Sequence, residues 1–152
     1  MAFMKDIAVC WRCANLYRTA RFEPLGFSCW QYSYILNVCA EPGIAQDRLA
    51  KKIYVHKSNA ARQLASLEEK GFVERRTDAT DKRVLRVYPT QKAERAVPEI
   101  RAALADYNAM LLSGFSPDEV RVLESMTARL AENARRVAER LEESGAPEAG
   151  GV

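Results

Sequence analysis

The sequence predicts a mainly α chain with one small β-hairpin, an α+β fold, and three observations carry that prediction. Apolar residues recur at spacings of three and four along most of the 152 residues, the period of helices buried on one face. Only the stretch Phe72 to Pro89 departs from that period, as two short runs rich in Val, Leu and Arg around the polar knot Thr77-Asp78-Ala79-Thr80-Asp81-Lys82-Arg83. The composition, 48% hydrophobic and 28% charged with only 7 Gly and 6 Pro, belongs to a globular, helix-rich protein rather than a disordered one. The length suits one domain with room for an appended association element.

Each element has its own signals. From Met4 to about Arg21, Ile7, Trp11 with Cys10, Ala14 and Tyr17 form the stripe of a first helix. Pro24 and Gly26 end it, and Ser28 is placed to cap a second helix carrying Trp30, Tyr34, Ile35, Val38 and Cys39 inward as far as Glu41-Pro42-Gly43. Residues 44–53 read as a short helix with Leu49, Ala50 and Ile53 on one face and Asp47 near the positive end of its dipole. Residues 55–71 read as another, capped by Ser58 or a neighbour, with Ala61, Leu64 and Leu67 inward and Gly71 as its stop. Short helix, tight turn and second helix ending in Gly make a helix-turn-helix signature, and its outward face is Lys57, Asn59, Arg62, Gln63 and Ser66.

Two strands follow, with Val73 and Arg75 assigned to opposite faces and Leu85 and Val87 to one. From Thr90, Ala93, Val97, Ile100, Leu104, Tyr107 and Leu111 mark a helix in which Pro98 should introduce a kink or a weak turn. Ser116, Pro117 and Glu119 are a strong start signal: a cap, a proline at the first helical position and a capping-box acid. The helix they open carries Val120, Leu123, Thr127, Leu130, Ala134, Val137 and Leu141, a near-heptad stripe longer than a small domain needs to cover itself. Such a stripe calls for a partner. Residues 144–152 read as a disordered tail.

A net charge of +3 does not by itself establish a nucleic-acid partner. No secretory signal is read, and the uncharged stretch from Pro24 to Ala40 is broken by Ser28, Gln31, Ser33 and Asn37, so no membrane association and a cytoplasmic location are expected. The 4 cysteines are then expected to be reduced. A single histidine, His56, and no declared cysteine cluster imply neither a metal site nor a cofactor. Cys10-x-x-Cys13 lacks the strand-to-helix context of a thiol oxidoreductase, and no enzymatic activity is expected.

The segments LAKKI at 49–53 and KSNAARQLASLEEKGFVER at 57–75, with Asp78, Asp81 and Arg83 followed by Thr90, resemble the MarR family of bacterial transcriptional regulators. The resemblance covers nearly the whole chain. It departs at Ala45, where the family usually has a Ser or Thr cap, at Pro89 in place of Leu, and at Ala93 in place of a common Gly. It implies a winged helix-turn-helix DNA-binding domain at 28–90, and a helical dimerisation region formed by an N-terminal helix at 1–27 and C-terminal helices at 91–143. The implied function is a DNA-binding regulator, expected to repress, that meets an inverted-repeat operator as a homodimer and is released by a small, often aromatic, effector.

Within that frame Lys57, Ser58, Asn59 and Arg62 stand at the N-terminal end of the recognition helix, closest to base edges. Asn suits adenine and Arg guanine, while Ser and Lys more often hold phosphates. The same face would serve as a solvated surface; the hairpin tips the reading towards DNA, because it spends six or seven residues on its loop and ends in Arg83, which the resemblance lays across the minor groove. Arg75 is counted with these contacts, and Asp78 and Asp81 as braces of the wing. For the effector, Trp11, Tyr17, Phe27, Trp30 and Tyr34 are pocket candidates, although aromatic residues at helical spacing are more often plain core. A redox alternative rests on Cys10 and Cys13, three apart on one helix, and on Cys29 at a helix start, against which stands the plain use of cysteine as a small buried hydrophobe. A winged helix used only for protein contacts is the remaining alternative.

Overall fold

Six α-helices, one 3-10 turn and three short strands make up the described residues, 2–143, of this computed structural model. The tail expected at 144–152 lies outside the described residues. In chain order the elements are α1 (Ala2–Phe22), the 3-10 turn Glu23–Leu25, α2 (Tyr32–Ala40), β1 (Ile44–Ala45), α3 (Gln46–Lys52), α4 (Lys57–Glu69), β2 (Val73–Thr77), β3 (Leu85–Pro89), α5 (Gln91–Leu111) and α6 (Pro117–Glu143). The mainly α class with a small hairpin is therefore observed. The chain divides into two compact units, Met1–Tyr107 and Asn108–Val152, with the break inside α5.

The core belongs to the first unit. Phe22, Phe27, Ile35, Val38, Leu49, Leu64, Leu67, Phe72, Val87 and Ile100 are all fully buried there, so helices and sheet share one apolar interior. Phe27 joins its parts, with Phe22 at 5.4 Å on one side and Phe72 edge-on at 5.3 Å on the other. Of the stripe expected on α1, only Ala14 is buried and Tyr17 half-buried; Ile7, Cys10 and Trp11 are exposed. The apolar side of α1 exists, but the described residues cover only its C-terminal end.

The second helix starts later than expected. Ser28 does not cap it: residues 28–31 form a turn closed by the Gln31 N–H on the Ser28 carbonyl at 2.9 Å, and α2 begins at Tyr32. Trp30 consequently points out, 40% exposed, and Cys29 is buried in the turn rather than placed at a helix N-terminus. Two residues are too few to show alternation, so β1 left no sequence signal. It completes a sheet of order β1-β3-β2, antiparallel throughout, with Ile44 opposite Val87 and Arg75 also opposite Val87. Gly43 makes that pairing feasible: its φ is +83°, its N–H donates to the Val87 carbonyl at 2.8 Å, and a Cβ there would meet the Tyr88 ring at 3.1 Å.

The register also corrects the strand faces. Val73 and Arg75 are two apart and therefore share a face, Val73 buried and Arg75 half-buried. In α4 it is Ala60, not Ala61, that is fully buried with Leu64 and Leu67, a shift of one position round the same stripe. Thr90 joins wing to α5, its hydroxyl donating to the Gly71 carbonyl at 2.7 Å and accepting from the Ala93 N–H at 3.4 Å. The helix α5 then continues through Pro98 without interruption. In the second unit, the Ser116 N–H donates to Glu119 at 2.8 Å and the Glu119 N–H to the Ser116 hydroxyl at 3.3 Å, the reciprocal box read from the sequence.

The α3–α4 turn carries a strained residue. Tyr54 has φ 55°, the left-handed region, and the turn closes as a Schellman motif with the Val55 N–H on the Ala50 carbonyl at 3.0 Å and the Tyr54 N–H on the Lys51 carbonyl at 3.2 Å. Glycine ordinarily fills that position, because an L side chain there costs roughly 1–2 kcal/mol. Tyr54→Gly should therefore relieve roughly 1–2 kcal/mol of strain, offset by the extra chain entropy of glycine and by the side-chain interaction of Tyr54 that is lost, with a small net gain in stability expected. Urea unfolding checks it, and a destabilised variant would show that Tyr54 contacts outweigh the strain.

Candidate nucleic-acid interface

The recognition helix is seated before any of its polar residues matter. Ala60, Leu64 and Leu67 lie in the core behind it, while Lys57, Ser58 and Arg62 are exposed and Asn59 is half-buried. Its N-terminus is capped by His56, not Ser58: the Ser58 N–H donates to His56 Nδ1 at 3.3 Å, and the Ser58 hydroxyl lies 2.6 Å from the same nitrogen. Ahead of it, the Lys57 ammonium donates to Asp47 on α3 at 2.6 Å. Arg62 donates to the Asn59 side-chain oxygen at 3.4 Å, one turn apart. The two expected base readers thus stand side by side on an exposed face, each limiting the freedom of the other.

Gln63 and Ser66, expected on the same outward face, are engaged from within the domain. Both accept from the Gln31 side-chain amide, at 3.1 Å and 3.2 Å. Arg75 is engaged too. Its backbone N–H donates to Glu68 at 2.7 Å and its guanidinium at 3.0 Å and 2.8 Å, which ties β2 to the end of α4. Burial works to raise the Glu68 pKa, but the bonds from the Arg75 amide and guanidinium outweigh it and leave the carboxyl lowered. Arg75 therefore sits on the inner face of the hairpin, and the structure gives it work there rather than beside Arg83.

The wing loop is organised by two carboxylates. Asp78 accepts the Thr80 hydroxyl at 2.6 Å, the Thr80 N–H at 2.8 Å and the Asp81 N–H at 3.1 Å, and it pairs with the Arg86 guanidinium. Asp81 accepts the Arg83 N–H at 3.0 Å and its guanidinium at 3.1 Å and 3.2 Å. These bonds, from the Thr80 hydroxyl above all and then from Arg86, hold the Asp78 carboxyl far below the usual carboxylate range; Asp81 is lowered by Arg83. The Arg83 side chain is 90% exposed at the tip, a cation aimed by its neighbour and open to solvent on all other sides.

Arg86 went unread in the sequence, hidden in a strand run between Leu85 and Val87. It stands directly opposite Arg76, a like-charge pairing that each arginine relieves separately, Arg76 through Glu74 at 2.6 Å and Arg86 through Asp78 and the Gly43 carbonyl at 3.0 Å. Gln31 and Tyr54 were missed as well. Gln31 sits among apolar residues with nothing to mark its burial, and Tyr54 has no signal that it would adopt a glycine conformation.

The sensing candidates separate into two groups. Trp11 and Trp30, 47% and 40% exposed, pack at 5.1 Å between ring centres, and Tyr17 lies 4.9 Å from Tyr107. Phe27 and Tyr34 belong to the core. The Tyr34 hydroxyl is nonetheless buried with no hydrogen-bond partner among the described residues, and burial pushes its pKa up to about 12. A cleft of about 310 Å³ between α1 and α5 is lined by Ala20, Arg21, Pro24, Leu25, Glu99, Ala102 and Ala103, and by none of the five aromatic candidates. Cys10 and Cys13 are exposed and Cys29 is buried. Burial, then the Glu94 carboxylate, raise the Cys39 thiol against an opposing effect of Arg101. Among the described residues no group of side chains is arranged to hold a metal, and no helix is long and apolar enough to cross a membrane.

A helix-turn-helix followed by an antiparallel wing defines a winged-helix protein. Comparison with known proteins agrees. Residues 30–85 match the model of the MarR family. The chain is 28% identical over 133 residues to the uncharacterised HTH-type transcriptional regulator YybA of Bacillus subtilis (strain 168), covering 88% of this chain and 89% of that one. The crystal structure of the transcriptional regulator SlyA superposes with a TM-score of 0.88 at 30% identity over 93% of this chain and 99% of its own. A MarR variant from E. coli complexed with operator DNA shares the fold, with a TM-score of 0.78 at 21% identity over 86% and 94%. The chain belongs to the MarR family and is a transcriptional regulator, not an enzyme.

Because the Asp78 and Asp81 pKa values are depressed in the folded protein, their contribution to the wing is present above the ordinary carboxylate value and is lost only as pH falls through the folded values. The amide resonances of Thr80, Asp81 and Arg83 should hold their positions from neutral pH down to about 4 and shift below it. Asp78→Ala should speed amide exchange at Thr80 and Asp81 at neutral pH while leaving α4 unchanged. Wing amides that titrate near 4, or that ignore Asp78→Ala, would remove the carboxylates from this role.

Proposed function

We propose that the protein is a homodimeric repressor that binds an inverted-repeat DNA operator in the cytoplasm and releases it when a small aromatic molecule binds. The observation that carries the DNA-binding part is the pairing of two exposed elements in one unit: the α4 face bearing Lys57, Ser58, Asn59 and Arg62, and a wing tip whose Arg83 is 90% exposed and oriented by Asp81. Asn59 and Arg62 have the chemistry to pair with adenine and guanine in the major groove, and Arg83 that of a minor-groove probe for A·T-rich sequence. The operator complex of the E. coli MarR variant supports the reading, since that protein shares this fold.

Dimerisation rests on surfaces that this chain alone leaves open. On α6, Leu123, Leu130 and Val137 are exposed at heptad-like spacing, and on α1 Phe3, Met4, Ile7 and Trp11 are exposed. A twofold pairing would cover such a face, and an inverted-repeat operator requires two recognition helices about one turn of DNA apart. For the effector, the exposed Trp11–Trp30 pair offers aromatic surface on which such a molecule can stack. A second reading, release by oxidation, is favoured by the exposure of Cys10 and Cys13 on one helix.

Arg83→Ala should weaken operator binding by roughly 1–3 kcal/mol and lower the salt slope by about one, without unfolding the protein. Titration of duplex DNA at several salt concentrations decides, and an unchanged affinity removes Arg83 from the interface; binding without any salt dependence would favour a protein-contact module instead. Sedimentation should give a dimer, and a stable monomer would sink the twofold model. Because the chain has 2 tryptophans and they are the packed pair, an effector seated there should change the intrinsic fluorescence as it releases DNA. Peroxide that releases DNA while modifying Cys10 or Cys13 would shift the choice to the redox reading.

A further inference from the structure

We infer that Gln31 is the residue that fixes the roll of the recognition helix, and so sets how sharply the protein distinguishes its operator from other DNA. The inference rests on the DNA-binding reading of α4 proposed above. Gln31 is 2% exposed, the one buried amide side chain among the described residues. A buried amide persists only if its hydrogen bonds are made, and here every one is. Its nitrogen donates to Gln63 at 3.1 Å and Ser66 at 3.2 Å. Its oxygen accepts from the Ser28 N–H at 3.1 Å and the Lys70 ammonium at 3.0 Å.

The partners are not scattered. At about 100° per residue, Gln63, Ser66 and Lys70 lie within about 60° of one another and of Asn59, with Arg62 about 60° to one side. One stripe of the helix is thus divided along its length. Its C-terminal half is held by Gln31, and its N-terminal half carries Asn59 and Arg62 exposed or half-exposed. The core contact behind the helix, made by Ala60, Leu64 and Leu67, is apolar and tolerates a small rotation. A four-bond amide does not. A roll of about 20° moves a side-chain tip 5–6 Å from the axis by roughly 2 Å, more than a bidentate contact to a base edge allows. Contacts to phosphate, made by long flexible cations, survive such a shift. Loss of Gln31 therefore removes discrimination and leaves general DNA affinity in place.

The test begins with a 30-base-pair duplex selected from a randomised pool by the wild-type protein, and a shuffled duplex of the same composition, both titrated at one fixed salt concentration. Gln31→Met keeps the volume and deletes all four bonds. It should lower the selected-to-shuffled affinity ratio by about 10- to 100-fold, the scale of one or two lost base contacts, with shuffled binding unchanged. Gln31→Glu should restore the ratio, because Lys70, Ser66, the Ser28 N–H and a turned-over Gln63 amide all donate to a carboxylate. Ser66→Ala, at a half-buried position, should lower the ratio in the same direction by less. A folded Gln31→Met with the wild-type ratio overturns the inference, as does an equal loss on both duplexes. If Gln31→Met fails to fold, Ser66→Ala decides by the same two outcomes. Wild-type protein that selects no sequence from the pool overturns the DNA-binding reading itself and this inference with it.

Discussion

The seating of α4 is the constraint on which the rest of this structure depends. A helix that reads base edges is useful only if its tip positions are reproducible to a fraction of an ångström, and a 13-residue helix has too little intrinsic stability to hold itself. Three different chemistries secure it. Ala60, Leu64 and Leu67 bury its back in the core shared with Phe72 and Val87. The Gln31 amide grips it from the side, and the Glu68–Arg75 pair fastens its C-terminal end to β2. The apolar contact supplies most of the free energy and little directional preference; the hydrogen bonds supply the reverse. Their combination is what turns a packed helix into an oriented one.

The wing obeys the same division of labour on a smaller scale. Its loop, from Asp78 to Arg83, has only the exposed Ala79 as an apolar residue, so its shape must come from hydrogen bonds to backbone N–H groups. Asp78 accepts from the Thr80 and Asp81 N–H groups and is itself only slightly accessible, with a 9% exposed side chain, whereas the Arg83 side chain is almost fully exposed. Acids near a DNA-binding surface look unfavourable when only net charge is counted. Here Asp78 is spent on Thr80, Asp81 and Arg86, and Asp81 on Arg83, whose guanidinium it holds at the exposed tip. The pair that closes the hairpin, Arg86 on Asp78, reaches further to the Gly43 carbonyl before β1, so the wing is tied into the sheet at its base.

How much of this was legible in the sequence follows from the range of the signals. The capping box at Ser116 and Glu119 is an interaction between residues three apart, and it was readable as such. The helical periods of α4 and α5, and the hairpin with its long loop, were equally local. What escaped was set by distant partners. The start of α2 moved from Ser28 to Tyr32 because Gln31 closes the turn and turns its side chain towards α4, thirty-two residues away at Gln63. The two-residue β1 exists only through its pairing with β3. His56 takes the cap because its ring nitrogen reaches the Ser58 N–H, a use of histidine that a preference for Ser, Thr, Asp or Asn does not anticipate. The engagement of Arg75 with Glu68 likewise depends on the strand register, which puts Arg75 on the face of Val73.

The apolar stripe of α6 raises a different point about where stability comes from. This helix is 27 residues long, and no residue from Arg121 to Leu141 is buried. Its local supports are a capping box and ion pairs such as Arg136 on Glu132, each contributing only a few tenths of a kcal/mol to about one. Burying four or five of its leucine and valine side chains against a second copy would contribute several times more, at about 1.5–3 kcal/mol for each side chain fully removed from water. The order of those magnitudes means that on the dimer reading α6 is stabilised chiefly by association rather than by propensity. Folding of the second unit and pairing of two chains then become one equilibrium.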